Sequence, residues 1–209
     1  MFSLQTIFGK GDKFYGLLEA SAEAARDSAS ALVGMFDTRQ QMPSLADFMH
    51  ARKREKDLSA EINRELVNTF VTALDREDIE ALSAALNKIT KSIAKFAERY
   101  SLASDRLGDI DFASRAALLE EAAEVIREMV FQLRKSMDLG AMRLLNDRLQ
   151  AIENEADRHM VELYRDLYGG SHEALLVLLL KDLFELLEKA IDRCRDAGNV
   201  VFQIVLKNS

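Results

Sequence analysis

The chain has 209 residues, of which 48% are hydrophobic and 30% are charged, enough for a sizeable core and a well-solvated surface. Its net charge of −7 argues against nucleic-acid binding, which needs a concentrated basic surface, and against adhesion to bare anionic lipid. The single cysteine, Cys194, excludes an intrachain disulfide and favours a reducing compartment.

The amino-terminal segment does not resemble a signal peptide, because Lys10 and Asp12 interrupt it before any long apolar run. The longest apolar runs, Ala174–Leu180 and Val200–Leu206, are far shorter than the roughly 20 residues that cross a bilayer. The sequence therefore predicts a cytoplasmic protein without a transmembrane segment, which reaches the inner face of the membrane only through a partner.

Helical periodicity runs along the whole chain, and only one proline and nine glycines interrupt it. Caps and breaks predict six long helices, at about Asp12–Asp37, Ser44–Ala73, Arg76–Tyr100, Asp111–Met137, Ala141–Tyr168 and Ser171–Lys207. Pro43, in the loop after the first helix, discourages continuation of that helix, and Gly140 marks a kink or short turn. The segment Gly169–Ser171 ends the fifth helix and provides the cap of the sixth.

A polar break at Ser104–Asp109 separates three predicted helices from three more. We interpret the chain as a single all-α domain, residues 1–209, with internal halves at about 1–105 and 106–209. The expected architecture is two pseudo-symmetric three-helix bundles in an up-down arrangement.

The two halves also repeat each other in apolar phase. Asp57 begins a stretch much like the one at Asp157, and further on Ile79 corresponds to Phe184. The extra residues of the second half fall near the glycine-rich turn, where insertions cost least. The internal repeat is weak by residue identity and moderate by apolar pattern.

The second half carries carboxylates that share helix faces. They are Glu153, Asp157, Glu185, Glu188, Asp192 and Asp196. Spacings of three and four place the members of each helix on one side, so antiparallel packing of the fifth and sixth helices would turn both sets toward one groove. Divalent cations and iron favour such oxygen-rich sites.

A simpler interpretation of these carboxylates stays open. Acidic residues beside a core stripe are commonly solvated flanks, and Lys181 precedes Glu185 by four residues. With Lys189, Arg193 and Arg195 close by, helical ion pairing could use much of the charge.

The first half has weaker candidates, since only Asp57 and Glu80 keep a carboxylate at the corresponding positions. Lys53 and Lys91 replace two others and would repel a cation. His50 shares a face with Asp57, but a surface histidine near a helix start is the preferred interpretation. Any first-half metal site is therefore expected to be degenerate.

Signatures of catalysis are missing. The chain has no Glu-x-x-His of the ferritin-like di-iron helices, no Gly-rich phosphate loop and no Gly-x-Ser-x-Gly elbow. Cys194 lies on the apolar stripe of the last helix, which favours a buried structural thiol. The sequence therefore predicts that the protein is not an enzyme.

Several stretches in order along the chain resemble a known family. They are Met1-Phe2 with Phe8, Lys13 and Phe14; Asp75-Arg76-Glu77-Asp78-Ile79; Ile152-Glu153-x-x-Ala156-Asp157; Lys181-Asp182-Leu183-x-Glu185-x-x-Glu188-x-x-x-Asp192-Arg193-Cys194; and Ala197-Gly198-Asn199-Val200 with Ile204-Val205-x-Lys207. Together they resemble the PhoU-like proteins encoded beside Pit-type inorganic phosphate transporters, the Pit accessory proteins.

This resemblance implies a PhoU-like fold, self-association and a role in regulating phosphate uptake through a transporter. It also implies that the second-half carboxylates bind a divalent metal or iron of unspecified identity. Two alternatives stay open beside this non-enzymatic regulator. One is a carboxylate-bridged metal-binding or metal-storage bundle, and the other is a structural helical scaffold.

Overall fold

The structure, a computed structural model, describes residues 4–36, 44–108, 110–170 and 172–209, with side chains from residue 13 onward. Within these ranges the chain forms six helices and no strand. They are α1 (Leu4–Phe36), α2 (Leu45–Asn68), α3 (Arg76–Leu107), α4 (Ala113–Lys135), α5 (Leu139–Leu167) and α6 (Ala174–Asn208). The prediction of an all-α chain of six long helices is confirmed.

Some details predicted from the sequence lie outside the described residues. They are the Met1-Phe2 start, the end of the first helix at Asp37, the Pro43 break, Asp109 in the central break and the cap at Ser171.

The predicted end of α2 at Ala73 is wrong. The helix ends at Asn68, and Thr69 has an extended backbone with φ −112° and ψ 123°. The Arg76 guanidinium donates hydrogen bonds to the carbonyl oxygens of Leu66 and Thr69, so it satisfies acceptors that the end of the helix leaves free. A long-range contact therefore decides where α2 ends.

Two other helix ends differ from the predicted ones. The first helix begins at Leu4 rather than near Asp12, and α3 continues to Leu107, past the expected end at Tyr100. Buried Ala103 and Leu107 hold this last stretch of α3 against the core, and Gly108, with φ of 60°, follows as its C-cap.

The predicted turn at Gly140 lies slightly earlier, at residues 136–138. Asp138 is the N-cap of α5, and its carboxylate accepts hydrogen bonds from the backbone N–H groups of Gly140 (2.8 Å) and Ala141 (3.4 Å). Gly140 is therefore part of the first helical turn, because a side-chain cap can start a helix through a glycine.

Helices α1, α2 and α3 pack on one another, and so do α4, α5 and α6. The two groups meet through α1 against α4 and through α3 against α6. An ion pair between Lys207 and Asp78 at one end, and one between Arg99 and Asp182 at the other, show that α3 and α6 run antiparallel. The division into halves near residue 105 stays a prediction.

The core follows the apolar repeat. Ile79 and its counterpart Phe184 are both buried, as expected from their common phase. Cys194 is fully buried, and this burial raises the pKa of its thiol, which confirms the structural interpretation. Among the described residues, no helix combines the length and the apolar character that a membrane span requires.

Candidate functional site: the acidic groove

Helices α5 and α6 run antiparallel, as the sequence argument required. The Arg195 guanidinium donates to Asn146 Oδ1 at 2.7 Å, and further along the pair the Tyr164 hydroxyl donates to Glu185 Oε1 at 2.8 Å. Between the helices lies a groove of about 840 Å³, which we call the acidic groove. It is lined by Gln150, Glu153, Glu185, Glu188, Lys189, Asp192, Arg193, Arg195, Asp196 and Asn199.

Five of the six predicted second-half carboxylates line this groove. The sixth, Asp157, is exposed and does not line it, but its charge raises the pKa of both Glu188 and Asp192. The structure therefore brings the six predicted carboxylates together on two facing helices, where their charges influence one another.

Three of the carboxylates already have cationic partners. The Arg195 Nε atom lies 3.4 Å from Glu153 Oε2, Lys181 Nζ lies 2.6 Å from Glu185 Oε1, and Arg193 Nη1 donates to Asp196 Oδ2 at 2.6 Å. These contacts match the simpler interpretation of helical and interhelical ion pairing.

The Lys181 pair has an electrostatic consequence. Hydrogen bonds from Lys181, and then from Tyr164, lower the pKa of Glu185. Burial, reinforced by the neighbouring Glu185 carboxylate, raises the pKa of the Tyr164 hydroxyl to about 12. The anionic form of Glu185 is thus stabilised by side chains of the protein itself.

The other three carboxylates lack such partners. Within the described residues, Asp157, Glu188 and Asp192 make no ion pair and no hydrogen bond through their side chains. Burial raises the pKa of Glu188 to about 6, with further contributions from the charges of Asp192, Asp157 and Glu185. Burial, followed by the charge of Glu153, likewise raises the pKa of Asp192. The centre of the groove therefore carries negative charge that the cationic side chains of the protein balance only in part.

The fit of this centre to a metal ion is mixed. Carboxylate oxygens are suitable donors for hard cations, and a cation would relieve the repulsion between carboxylates that adds to burial in raising the pKa of Glu188 and Asp192. Nevertheless, among the described residues no three His, Cys, Asp or Glu side chains are grouped as a metal site requires. The donor chemistry fits, and the ligand geometry is not preformed.

The first-half candidates lie apart from one another. Asp57 is paired with Lys53, whose Nζ is 3.2 Å from Asp57 Oδ2, and shares a groove of about 340 Å³ with His50 and Arg54. Glu80 is exposed on α3 and does not line that groove. Lys53 and Arg54 balance Asp57 and Glu61 in this groove, and a degenerate first-half metal site stays a prediction.

One buried carboxyl was missed by the sequence argument. Glu55, on α2, is fully buried, and burial raises its pKa to about 8. A signal was present, since Glu55 lies seven residues after buried Phe48 and seven before buried Ile62. Such spacing places all three on one helix face, toward the core.

Two curated proteins are similar to this chain over nearly their whole length, although no family model matches it. The UPF0111 protein YkaA of Bacillus subtilis (strain 168) is 24% identical over 208 residues, covering 96% of this chain and 98% of that protein. A candidate Pit accessory protein of Rhizobium meliloti (strain 1021) is 24% identical over 205 residues, covering 94% of each.

Two crystal structures from Shewanella oneidensis MR-1 share the fold. One is of a PhoU-like protein (TM-score 0.75) and the other of a candidate PhoU-like phosphate regulatory protein (TM-score 0.74). Each is 18% identical and covers 93% of this chain and 99% of its own. The fold therefore defines a PhoU-like helical-bundle protein. In sequence and in fold the chain is therefore similar to PhoU-like and Pit accessory proteins, as its motifs indicated.

Proposed function

We propose that this protein is a non-enzymatic cytoplasmic accessory protein that regulates inorganic phosphate transport through a Pit-type transporter. The observation that carries the proposal is its likeness, over 94% of both chains, to a candidate Pit accessory protein. The name of one structural neighbour, a candidate PhoU-like phosphate regulatory protein, supports the same role.

Exposed apolar side chains at two helix connections support an interaction function. Val67 is 85% exposed and Phe70 is 96% exposed at the α2–α3 connection, and Tyr168 is 66% exposed at the end of α5. Large apolar side chains that face water are common at contact sites for other proteins. A transporter domain and a second copy of this chain are both proposed partners.

Deletion of the gene, followed by measurement of phosphate uptake at low and high external phosphate, tests this role. We expect uptake to change in the deletion strain and to recover when the full chain is supplied. Unchanged uptake and unchanged polyphosphate content at every phosphate level would contradict the proposal.

The scaffold alternative predicts a different response to surface charge. We expect the double charge reversal Asp157→Lys/Asp192→Lys to impair restoration of phosphate uptake in the deletion strain. A matched reversal at exposed positions on α3 that do not line the acidic groove, Glu98→Lys/Asp105→Lys, should restore it fully. Equal restoration by both variants would favour a structural scaffold.

We further propose that the acidic groove binds a hard divalent cation, with Glu188 and Asp192 as the principal ligands and Asp157, beside the groove, as the third carboxylate drawn toward the ion. The proposal is supported by the oxygen-only donors and by the under-compensated charge of these three groups. A bound cation would neutralise the repulsion between them and join α5 to α6.

Titration calorimetry of chelator-treated protein with Mg²⁺, Mn²⁺ and Fe²⁺ measures this binding. We expect Glu188→Gln/Asp192→Asn to lose it and Asp147→Asn, an exposed change on α5, to keep it. Equal affinity in both variants would refute the assignment. Elemental analysis after chelator-free purification addresses the metal-storage alternative, which requires several ions for each chain.

A further inference from the structure

A second groove, of opposite charge, lies between α3 and α6. Its volume is about 330 Å³. We call it the basic groove, and it is lined by Lys88, Lys91, Ser92, Lys95, Leu186, Lys189 and Arg193. Five of these seven side chains are cationic, in a chain with 35 acidic and 28 basic residues.

Helix periodicity and antiparallel packing gather the five cations. On α3 the spacings of three and four put Lys88, Lys91 and Lys95 on one face. On α6 the spacing of four does the same for Lys189 and Arg193. Because α3 and α6 pack together, the two sets border one groove with buried Leu186 among its lining residues.

The lysines of this groove make no direct ion pair, although the charge of Lys189 also acts on Glu188 in the neighbouring acidic groove. Within the described residues, Lys88, Lys91, Lys95 and Lys189 make no ion pair and no side-chain hydrogen bond. Some lysines elsewhere are paired: Lys13 Nζ lies 2.8 Å from Glu65 Oε1, for example. Four like charges held close together raise the free energy of the folded state, and an external anion would relieve this repulsion.

The basic groove also accounts for the difference in charge between the halves. Lys91 occupies the first-half position that corresponds to Asp196 of the acidic groove. The replacement makes a first-half cation site unfavourable and at the same time completes an anion-binding lysine face. Lys189 and Arg193 line both grooves, so the two sites are direct neighbours.

We propose that the basic groove binds a small anion with two or more linked phosphoryl groups. A phosphoryl group carries up to two negative charges near neutral pH and offers three acceptor oxygens, and lysine binds phosphate as a point charge. Seven residues of helix rise roughly 10 Å, so the lysine row on α3 is longer than one phosphate ion and suits a short chain of them.

Titration calorimetry with tripolyphosphate, inorganic phosphate and vesicles of phosphatidylglycerol tests the proposal, in chelator so that no metal bridges the ligand. We expect saturable binding of tripolyphosphate, weaker binding of inorganic phosphate and no binding of vesicles. Because each substitution removes a charge-assisted hydrogen bond to a phosphoryl oxygen, Lys91→Gln/Lys95→Gln should weaken tripolyphosphate binding roughly tenfold or more.

The matched control is Lys56→Gln/Lys135→Gln, which removes the same charge from exposed sites on α2 and α4. It should bind as tightly as the unaltered protein, and circular dichroism should show that both variants are folded. An equal loss in the control would mean diffuse attraction and would overturn the proposal. Preferential binding of vesicles, or of inorganic phosphate, would also overturn it, and none of these results depends on a transporter partner.

Discussion

Lys207 Nζ donates a hydrogen bond to Asp78 Oδ1 at 2.6 Å and joins the end of α6 to the start of α3. The two residues are 129 positions apart, and each belongs to one of the stretches that carry the family resemblance. Asp78 is buried, and its Oδ2 atom has no hydrogen-bond partner among the described groups. The hydrogen bond to Asp78 raises the pKa of the lysine.

Lys207→Met should therefore lower the free energy of unfolding, because it leaves a buried carboxylate without its cation. Urea denaturation at pH 7 measures the change. The second substitution, Asp78→Asn, should recover part of the loss, since it removes the isolated charge. Lys56→Met is the control at an exposed position and should have little effect. A double variant that is no more stable than Lys207→Met would contradict this account.

The buried Glu55 carboxyl should make stability depend on pH. Burial raises its pKa to about 8 from 4.5, only partly opposed by Ser21, Arg52 and Arg54. Between these values the folded state holds a proton that the unfolded chain releases, so the folded state is most favoured below about pH 4.5 and loses this advantage as pH rises through 8.

Glu55→Gln, which stays neutral, should remove this slope and be more stable than the unaltered protein at pH 9. Urea denaturation at pH 5, 7 and 9 measures it. Glu80→Gln, at an exposed site on α3, should keep the slope. Parallel pH curves for Glu55→Gln and the unaltered protein would show that the carboxyl ionises freely.

Gly198 marks a close approach of three helices. A Cβ atom at this position would lie 2.4 Å from Leu149 Cδ2 on α5 and 3.3 Å from Ile126 Cδ1 on α4. Both neighbours are fully buried and have little room to move. Gly198→Ala should therefore destabilise the fold by about 1–3 kcal/mol, the usual cost of overpacking.

Gly16→Ala is the matched helical control, because its added Cβ meets only Arg134 Nη2, at 3.4 Å. Alanine favours the helix over glycine by up to about 1 kcal/mol, so this variant should be as stable as the unaltered protein or more so. Thermal unfolding of both variants measures the difference. Equal melting temperatures would mean that α6 shifts to accept the methyl group.

Repulsion between the carboxylates of the acidic groove should lower the stability of the folded protein in metal-free solution. Burial and neighbouring carboxylates raise the pKa of Asp192, and the charge of Asp192 in turn raises that of Glu188. Asp192→Asn should therefore raise the melting temperature at pH 7 in chelator and bring the pKa of Glu188 down from about 6 toward its ordinary value.

Carbon-detected NMR titration of the Glu188 carboxyl measures that pKa, and calorimetry measures the melting temperature. Asp147→Asn, an exposed change on α5, should alter neither quantity. The same reasoning predicts that the unaltered protein gains stability from this groove as pH falls from 7 to 5, since raised folded-state pKa values favour proton uptake. A pKa of Glu188 that is independent of residue 192 would contradict it.

The sequence by itself determined the six helices, their common apolar phase and the helix faces that carry the carboxylates. These properties are local, because residues three and four apart lie on one side of a helix whatever surrounds it. Ile79 and Phe184 are buried as their phase predicted, and five of the six second-half carboxylates line one groove.

Only the tertiary structure decided which charges meet. Arg76 ends α2, Arg195 neutralises Glu153, and Lys91 joins Lys189 across the α3–α6 contact to form the basic groove. Whether a charged side chain finds a partner, and how far its pKa shifts, depends on the helix that packs against it and on how much solvent contact it loses. Neither follows from spacing within one helix. For that reason the sequence located the acidic groove, whereas the basic groove emerged only from packing, and spacing marked the core-facing position of Glu55 without giving the raised pKa that its burial causes.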